Sequence, residues 1–79
     1  MRRSIFLAPR AIRDLYAIPR GVAGELTKAL RVLETDPTPD NSTPIPERPG
    51  RHELLLLDYM AVYAVEETRI VILTIDAAE

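Results

Sequence analysis

Three residues just ahead of the most apolar part of the chain have side chains of the types used in phosphate chemistry. Arg48 and Arg51 flank Pro49-Gly50, and His52, the single histidine, follows directly. An imidazole that titrates near neutral pH can act as a general base, and guanidinium groups bind phosphate or carboxylate oxygens. No second acid or base is identifiable that would complete a catalytic pair with His52, so an exposed turn leading into an ordinary strand explains the same residues.

Other kinds of reactive site have no counterpart in the sequence. The chain has no cysteine, which excludes disulfides and thiolate metal sites. It also contains no phosphate-binding glycine loop, nucleophile elbow or metal-ligand cluster. Tyr59 and Tyr63 share one strand parity, which is typical of core aromatics. We therefore expect no metal ion and no cofactor.

The region from His52 to Asp76 predicts a small sheet. It contains three apolar runs, Leu54-Leu57, Tyr59-Val65 and Ile70-Ile75, which are rich in strand-forming residues and too short for buried helices. Glu66-Glu67-Thr68 predicts a hairpin loop. The break at Asp58 fits either a tight turn or a bulge within one long strand.

The preceding half of the chain predicts an edge strand and two helices. Ile5-Leu7 forms the strand, and Ile12, Leu15 and Tyr16 form an apolar stripe on a first helix that Pro19 ends. A second helix is expected from about Pro19 to Thr35. The segment from Asp36 to Gly50 holds five prolines and predicts an extended tether. The expected fold is a single α+β domain over residues 1–79, in the order β-α-α-β-β-β, with a helical hairpin on one face of a small antiparallel sheet.

The helices cannot cover both faces of this sheet. Apolar residues occupy both parities of Leu54-Leu57, so each face needs cover, yet one helical hairpin covers only one. A large exposed apolar patch on a folded protein usually marks a contact surface. We expect a partner to contact Leu55, Leu57, Met60 and Val62. A homodimer that buries the same patch against itself is the alternative.

The overall composition excludes some classes of protein. The apolar run before Pro9 and Arg10 is shorter than the roughly 7–15 residues of a signal peptide core, and nothing approaches a membrane span. We therefore expect a cytoplasmic protein. Residues 1–31 carry seven basic and two acidic side chains, whereas residues 32–79 carry three basic and ten acidic. This asymmetry indicates either a basic surface opposite an acidic one or two solvated faces.

Several motifs in this order resemble those of the RelE/ParE superfamily of bacterial type II toxins. The resemblance covers nearly the whole chain and rests on six segments: Ala11-Leu15, Ala29-Pro37, Pro49-Gly50, Asp58-Tyr59, Val62-Val65 and Ile70-Leu73. It implies a compact toxin with a curved antiparallel sheet and a helical hairpin on its convex face. It also implies a cognate antitoxin as partner, and the ribosome, where mRNA is cut, or DNA gyrase as target.

The nuclease branch of this family needs cations that the sequence lacks. Where that branch alternates basic residues along the first core strand, this chain has Glu53 and Leu55, and Met60 stands in place of an arginine. A glutamate at a phosphate-binding position reverses the local field. Leu57 replaces the usual glycine of the following turn, and the C-terminal Asp76-Glu79 segment holds no basic or aromatic group.

Three hypotheses follow from the resemblance and these departures from it. The first is a growth-inhibiting toxin, neutralised by a protein antitoxin, that does not cleave RNA. The second is a ribosome-dependent mRNA endonuclease that uses an atypical set such as Arg48, Arg51 and His52. The third is a non-toxic protein that retains only antitoxin binding. Under all three, a homodimer or a hetero-oligomer with the antitoxin is expected.

Overall fold

A computed structural model describes residues 2–78. Five strands and two helices follow one another along the chain: β1 (Ser4–Leu7), α1 (Pro9–Ala17), α2 (Arg20–Leu30), β2 (Ser42–Pro44), β3 (Arg51–Leu56), β4 (Tyr59–Val65) and β5 (Arg69–Ala77). A single 3₁₀ turn, Arg31–Glu34, extends α2. The predicted α+β class and the order of the predicted elements are confirmed. Neither helix within residues 2–78 is both long and apolar enough to cross a membrane.

Proline sets the boundaries of the helical hairpin. Pro9 is the first residue of α1, where its missing N–H group costs no hydrogen bond. Pro19 forces Ile18 into an extended conformation (φ −91°, ψ 142°), which ends α1 and turns the chain into α2. α2 is shorter than predicted because its last turn tightens into the 3₁₀ segment.

The sheet is mixed and has five strands in the order β1-β5-β4-β3-β2. β1 lies at the edge, as predicted, but it pairs with β5 in parallel; the other pairs are antiparallel. The expectation of a purely antiparallel sheet is corrected on this point. The two helices carry the chain from β1 to β2 at the opposite edge of the sheet, and the antiparallel pairs from β2 to β5 bring it back beside β1 in the same direction.

The proline-rich segment is also more ordered than an extended tether. Its residues Ser42–Pro44 form β2, which pairs with Leu54, Glu53 and His52 of β3. Asn41 fixes the start of this strand, because its side-chain Nδ2 donates to the Leu55 carbonyl over 2.8 Å. Gly50 then takes a positive φ of 81° at the turn into β3, and its carbonyl accepts from the Val65 amide.

One face of the sheet packs against the helices and forms the core. Buried side chains from the helices and the 3₁₀ turn meet the inward parity of β3, β4 and β5, and the core comprises Ala11, Ile18, Leu26, Leu30, Leu33, Leu54, Leu56, Ala61, Tyr63, Ile70, Ile72 and Ile75. β5 contains a bulge, since Val62 pairs with Thr74 while the next residue, Tyr63, pairs with Ile72. The extra residue is Leu73, and the bulge keeps apolar side chains inward on both sides of it.

Candidate functional site

The sheet face opposite the helices, here called the open face, carries the apolar residues predicted to contact a partner. Leu55 pairs with Met60, and Val62 pairs with Glu53, so all four side chains share the outward parity. Leu57 follows in the turn between β3 and β4, with 61% of its surface exposed, and Leu55 is 48% exposed. We call Leu55, Leu57, Met60 and Val62 the hairpin patch; its binding role stays a prediction.

The turn within the hairpin patch is a tight one, the first of the two alternatives left open at Asp58. Leu57 and Asp58 form a two-residue loop, and Leu57 has a φ of 55°. Two-residue hairpin loops favour positive φ, which glycine, asparagine or aspartate adopts more easily than leucine. A bulky residue in the left-handed region is unusual, and such outliers concentrate at functional sites.

Charges on the open face change sign from one end to the other. Arg51 and Arg69 lie at the end away from the turn, where the Arg69 guanidinium bonds Glu66 at 2.6 Å and stacks 5.1 Å from the centre of the Phe6 ring. Towards the turn the face is acidic. Glu53 lies beside Val62, and Asp76 lies beside Met60.

A shallow cavity of about 240 Å³ opens at this acidic end, beside β2. It is lined by Asp40, Asn41, Thr43, Glu53, Leu55 and Met60. Among residues 2–78, neither Asp40 nor Glu53 forms an ion pair. The cavity therefore combines an apolar floor with two uncompensated carboxylates, a combination that suits a cation carried on an aliphatic stem.

The candidate catalytic residues do not converge. Arg51 and His52 are consecutive in β3, so their side chains point to opposite faces of the sheet. His52 lies on the helical side and stacks on Tyr63, with 5.4 Å between the ring centres. Its Nδ1 is buried and has no hydrogen-bond partner within the described part of the chain. Arg48 lies in the preceding turn, exposed, and its backbone amide donates to the Ile45 carbonyl.

Tyr63 joins the core to the proline-rich segment. Its hydroxyl donates to the Pro37 carbonyl over 2.7 Å, and the nearby Ser42 hydroxyl donates to the Pro39 carbonyl over the same distance. Burial raises the pKa of Tyr63; the Ser42 hydroxyl opposes this shift, and the Asp36 charge adds to it. The hydroxyl is thus a neutral structural donor, away from the open face.

A second exposed apolar surface lies on the helical side and was not predicted. This helix groove has a volume of about 480 Å³ and is lined by Leu7, Ile12, Leu15, Tyr16, Ile18, Arg20 and Ala23. Ile12 and Tyr16 belong to the predicted stripe of α1, but Tyr16 is 87% exposed. The spacing of the stripe gave no signal of this, because i, i+3, i+4 is also the spacing of a core-facing helix; in the structure α1 buries Ala11 instead.

Solved structures share the fold of this chain, an open mixed sheet with a helical hairpin on one face. The sequence matches no protein-family model. It matches no curated protein sequence significantly.

The similar structures come from toxin-antitoxin systems. A chain of the RelBE2 toxin-antitoxin complex from Mycobacterium tuberculosis is 22% identical, with a TM-score of 0.82 over 98% of this chain and 99% of that one. A chain of the chromosomal ParDE system from P. aeruginosa is 24% identical, with a TM-score of 0.83 over 99% and 98%. The isolated E. coli RelE toxin is 18% identical, with a TM-score of 0.82 over 98% and 85%. The chain therefore has the fold of the RelE and ParE toxins.

Proposed function

We propose that this protein is the toxin component of a type II toxin-antitoxin system, a cytoplasmic growth inhibitor that a protein antitoxin neutralises. The observation that carries the proposal is its likeness, over 98% or more of its length, to the isolated RelE toxin and to chains of toxin-antitoxin complexes. The hairpin patch supports it, because Leu55 and Leu57 are exposed there and an exposed apolar patch usually marks a contact surface. The antitoxin covers this patch.

The geometry of the open face argues against RNA cleavage by this toxin. General acid–base cleavage needs a base near the 2′-OH group and cations around the phosphate. The open face instead presents Glu53, Leu55 and Met60 towards the turn between β3 and β4, and Arg51 stands at the other end without His52 beside it. The proposed toxin therefore acts on a target without cutting RNA, and DNA gyrase is the candidate that the family resemblance supplies.

An RNA-cleaving toxin with an atypical site is the second candidate. Arg51 favours it, since this arginine lies on the open face and forms no ion pair within residues 2–78. Under this alternative, Arg51→Ala abolishes cleavage of ribosome-bound mRNA, whereas Arg13→Ala, an exposed arginine on α1, has no effect.

Inducible expression in bacteria tests the proposal. Growth and the incorporation of labelled thymidine and labelled amino acids are followed in parallel, with and without co-expression of the antitoxin. We expect growth arrest with early loss of thymidine incorporation, and rescue by the co-expressed protein. Early loss of amino-acid incorporation with mRNA cleavage instead supports the second candidate. Unimpaired growth at good expression levels contradicts both and leaves a protein that only binds its antitoxin.

A further inference from the structure

The side chain of Leu57 lies outside the hydrophobic core that the described residues form. It occupies a backbone conformation that disfavours side chains, with a φ of 55°, and 61% of its surface is exposed. Glycine adopts this conformation freely, and an exposed leucine gains little from burial. A strained residue persists when its strain serves a function, and the surroundings of Leu57 suggest contact with another molecule.

The charges around the hairpin patch indicate what kind of molecule binds to it. Asp40, Glu53 and Asp58 form no ion pair among the described residues, and Asp76 is bonded to Arg10 at 3.2 Å. A segment with cationic side chains beside an apolar stripe complements this surface, whereas a polyanion is repelled. The cavity next to Glu53 has the apolar floor and carboxylate rim that a lysine or arginine side chain fits.

The position of the hairpin patch in the sheet indicates the secondary structure of the segment that binds to it. The hairpin patch lies on the surface of β3 and β4, which are both paired on their two sides, so an added strand cannot reach it. A helix laid across the face can. β4 has seven residues and is about 23 Å long, a length that a helix of about 15 residues matches.

Resting on the proposed function, we infer that the antitoxin segment seated on the open face is a cationic amphipathic helix and that Leu57 is its anchor. Leucine at this position lowers the stability of the free chain but raises its affinity for the antitoxin. The carboxylates of Glu53 and Asp40 favour positive charge on the bound helix. An acidic helix fits the helix groove better, because Arg20 lines that groove.

The test uses two synthetic 15-residue amphipathic helices that share one leucine stripe and differ only in their flanks, lysine in one and glutamate in the other. Each is titrated into the ¹⁵N-labelled chain at low and at high salt, and an eight-nucleotide single-stranded RNA is a third probe. We expect amide shift changes around the hairpin patch, with the lysine peptide bound about tenfold more tightly at low salt. The difference shrinks at high salt.

Two variants with matched controls assign the roles. Leu57→Gly should weaken the lysine peptide about tenfold, and Tyr16→Ser, an exposed apolar residue of the helix groove, should leave its affinity unchanged. Glu53→Gln should reduce the preference for lysine, whereas Glu25→Gln, an exposed glutamate on α2, should not.

Several results overturn the inference. These are equal binding of both peptides, no binding of either, shifts confined to the helix groove, RNA binding on the open face, or unchanged affinity in Leu57→Gly. The peptide-binding test can succeed or fail whatever the growth assay shows. A chain that binds the lysine peptide but never arrests growth retains the inferred surface and loses the proposed toxicity.

Discussion

Leu57 has a conformational cost that its neighbours in β3 lack. Its φ of 55° lies in the left-handed region, which costs a residue with a side chain roughly 1–2 kcal/mol. Glycine removes this cost but adds chain entropy to the unfolded state. We therefore expect Leu57→Gly to stabilise the free chain by about 0.5–1 kcal/mol, seen as a higher urea midpoint at an unchanged slope.

The control for this prediction is Leu55→Gly. Leu55 is of the same type and similarly exposed, but it lies within β3, and its φ is not positive. There glycine weakens the strand, so the same substitution should destabilise the chain. Destabilisation of both variants would contradict the assignment of strain to Leu57.

The sequence can predict side-chain parity better than it predicts backbone strain. Successive residues of a strand point to opposite faces, so two of the four leucines of Leu54-Leu57 were expected on the open face, and two are exposed there. The replacement of a turn glycine by Leu57 was visible from the family resemblance, yet the positive φ depends on a two-residue loop that the sequence left open. His52 and Arg51 are neighbours in the sequence, but strand geometry places their side chains on opposite faces of the sheet.

At the scale of elements, Asp14 joins α1 to the bulge of β5. Its Oδ2 accepts a hydrogen bond from the Ile75 amide over 2.9 Å, two residues after the extra residue Leu73. β1 ends beside Ile72, so the rest of β5 has no strand on that side, and Asp14 supplies a hydrogen-bond acceptor there. Hydrogen bonds to charged groups contribute about 1.5–3 kcal/mol, so Asp14→Ala should lower the free energy of unfolding by that amount.

Asp76→Ala is the matched control for Asp14. Asp76 contacts the same arginine, Arg10, but its side chain is 59% exposed against 17% for Asp14. Exposed ion pairs contribute about 0–1 kcal/mol, so this variant should change chemical denaturation little. Equal losses in the two variants would show that the bond to Ile75 does not matter.

The proline-rich segment depends on Tyr63 for its position. Tyr63→Phe removes the donor to the Pro37 carbonyl and should cost about 1 kcal/mol. It should also speed hydrogen exchange at the Ser42 amide, which donates to Pro39 in the same segment. Unchanged exchange at Ser42 would mean that the segment is held by its pairing with β3 alone.

The same tyrosine predicts a dependence of stability on alkaline pH. Burial raises the pKa of Tyr63 in the folded chain above its unfolded value. Its contribution is therefore complete below about pH 10 and is lost as the pH rises through the raised folded pKa. Urea unfolding at pH 8 and pH 11 should show that Tyr63→Phe loses less free energy of unfolding between the two pH values than the wild type does. Equal losses of stability in the two proteins would show that ionisation of Tyr63 does not cause the alkaline destabilisation.

The elements that sequence reasoning missed are those set by long-range contacts. β2 is three residues long and ends in Pro44, so its local propensity is weak and it exists by pairing with β3. The parallel pairing of β1 likewise follows from the path of the chain, not from the residues of β1. The hairpins and both helices were predictable because their signals are local: apolar periodicity and proline boundaries.

For the whole molecule, the two exposed apolar surfaces lie in parts of the chain with opposite charge. The helix groove belongs to the basic residues 1–31, whereas the hairpin patch lies in the acidic remainder. An antitoxin that reaches both surfaces must therefore carry segments of both signs. The charge asymmetry visible in the sequence is thus associated with two separate surfaces, although the sequence alone indicated only one of them.

A chain of 79 residues that leaves both surfaces exposed has a small core and gains stability from any partner that covers them. Binding to the folded state alone stabilises it by about 2.7 kcal/mol when the free antitoxin is at a hundredfold its Kd. For a domain of this size, that corresponds to a rise in Tm on the order of 10–20 °C. Calorimetry of the chain at several antitoxin concentrations should show Tm climbing with concentration, and Leu57→Gly should raise the starting Tm while reducing the climb. A complex that forms with no change in Tm would mean that the antitoxin binds the unfolded chain equally well, which is incompatible with recognition of the folded open face.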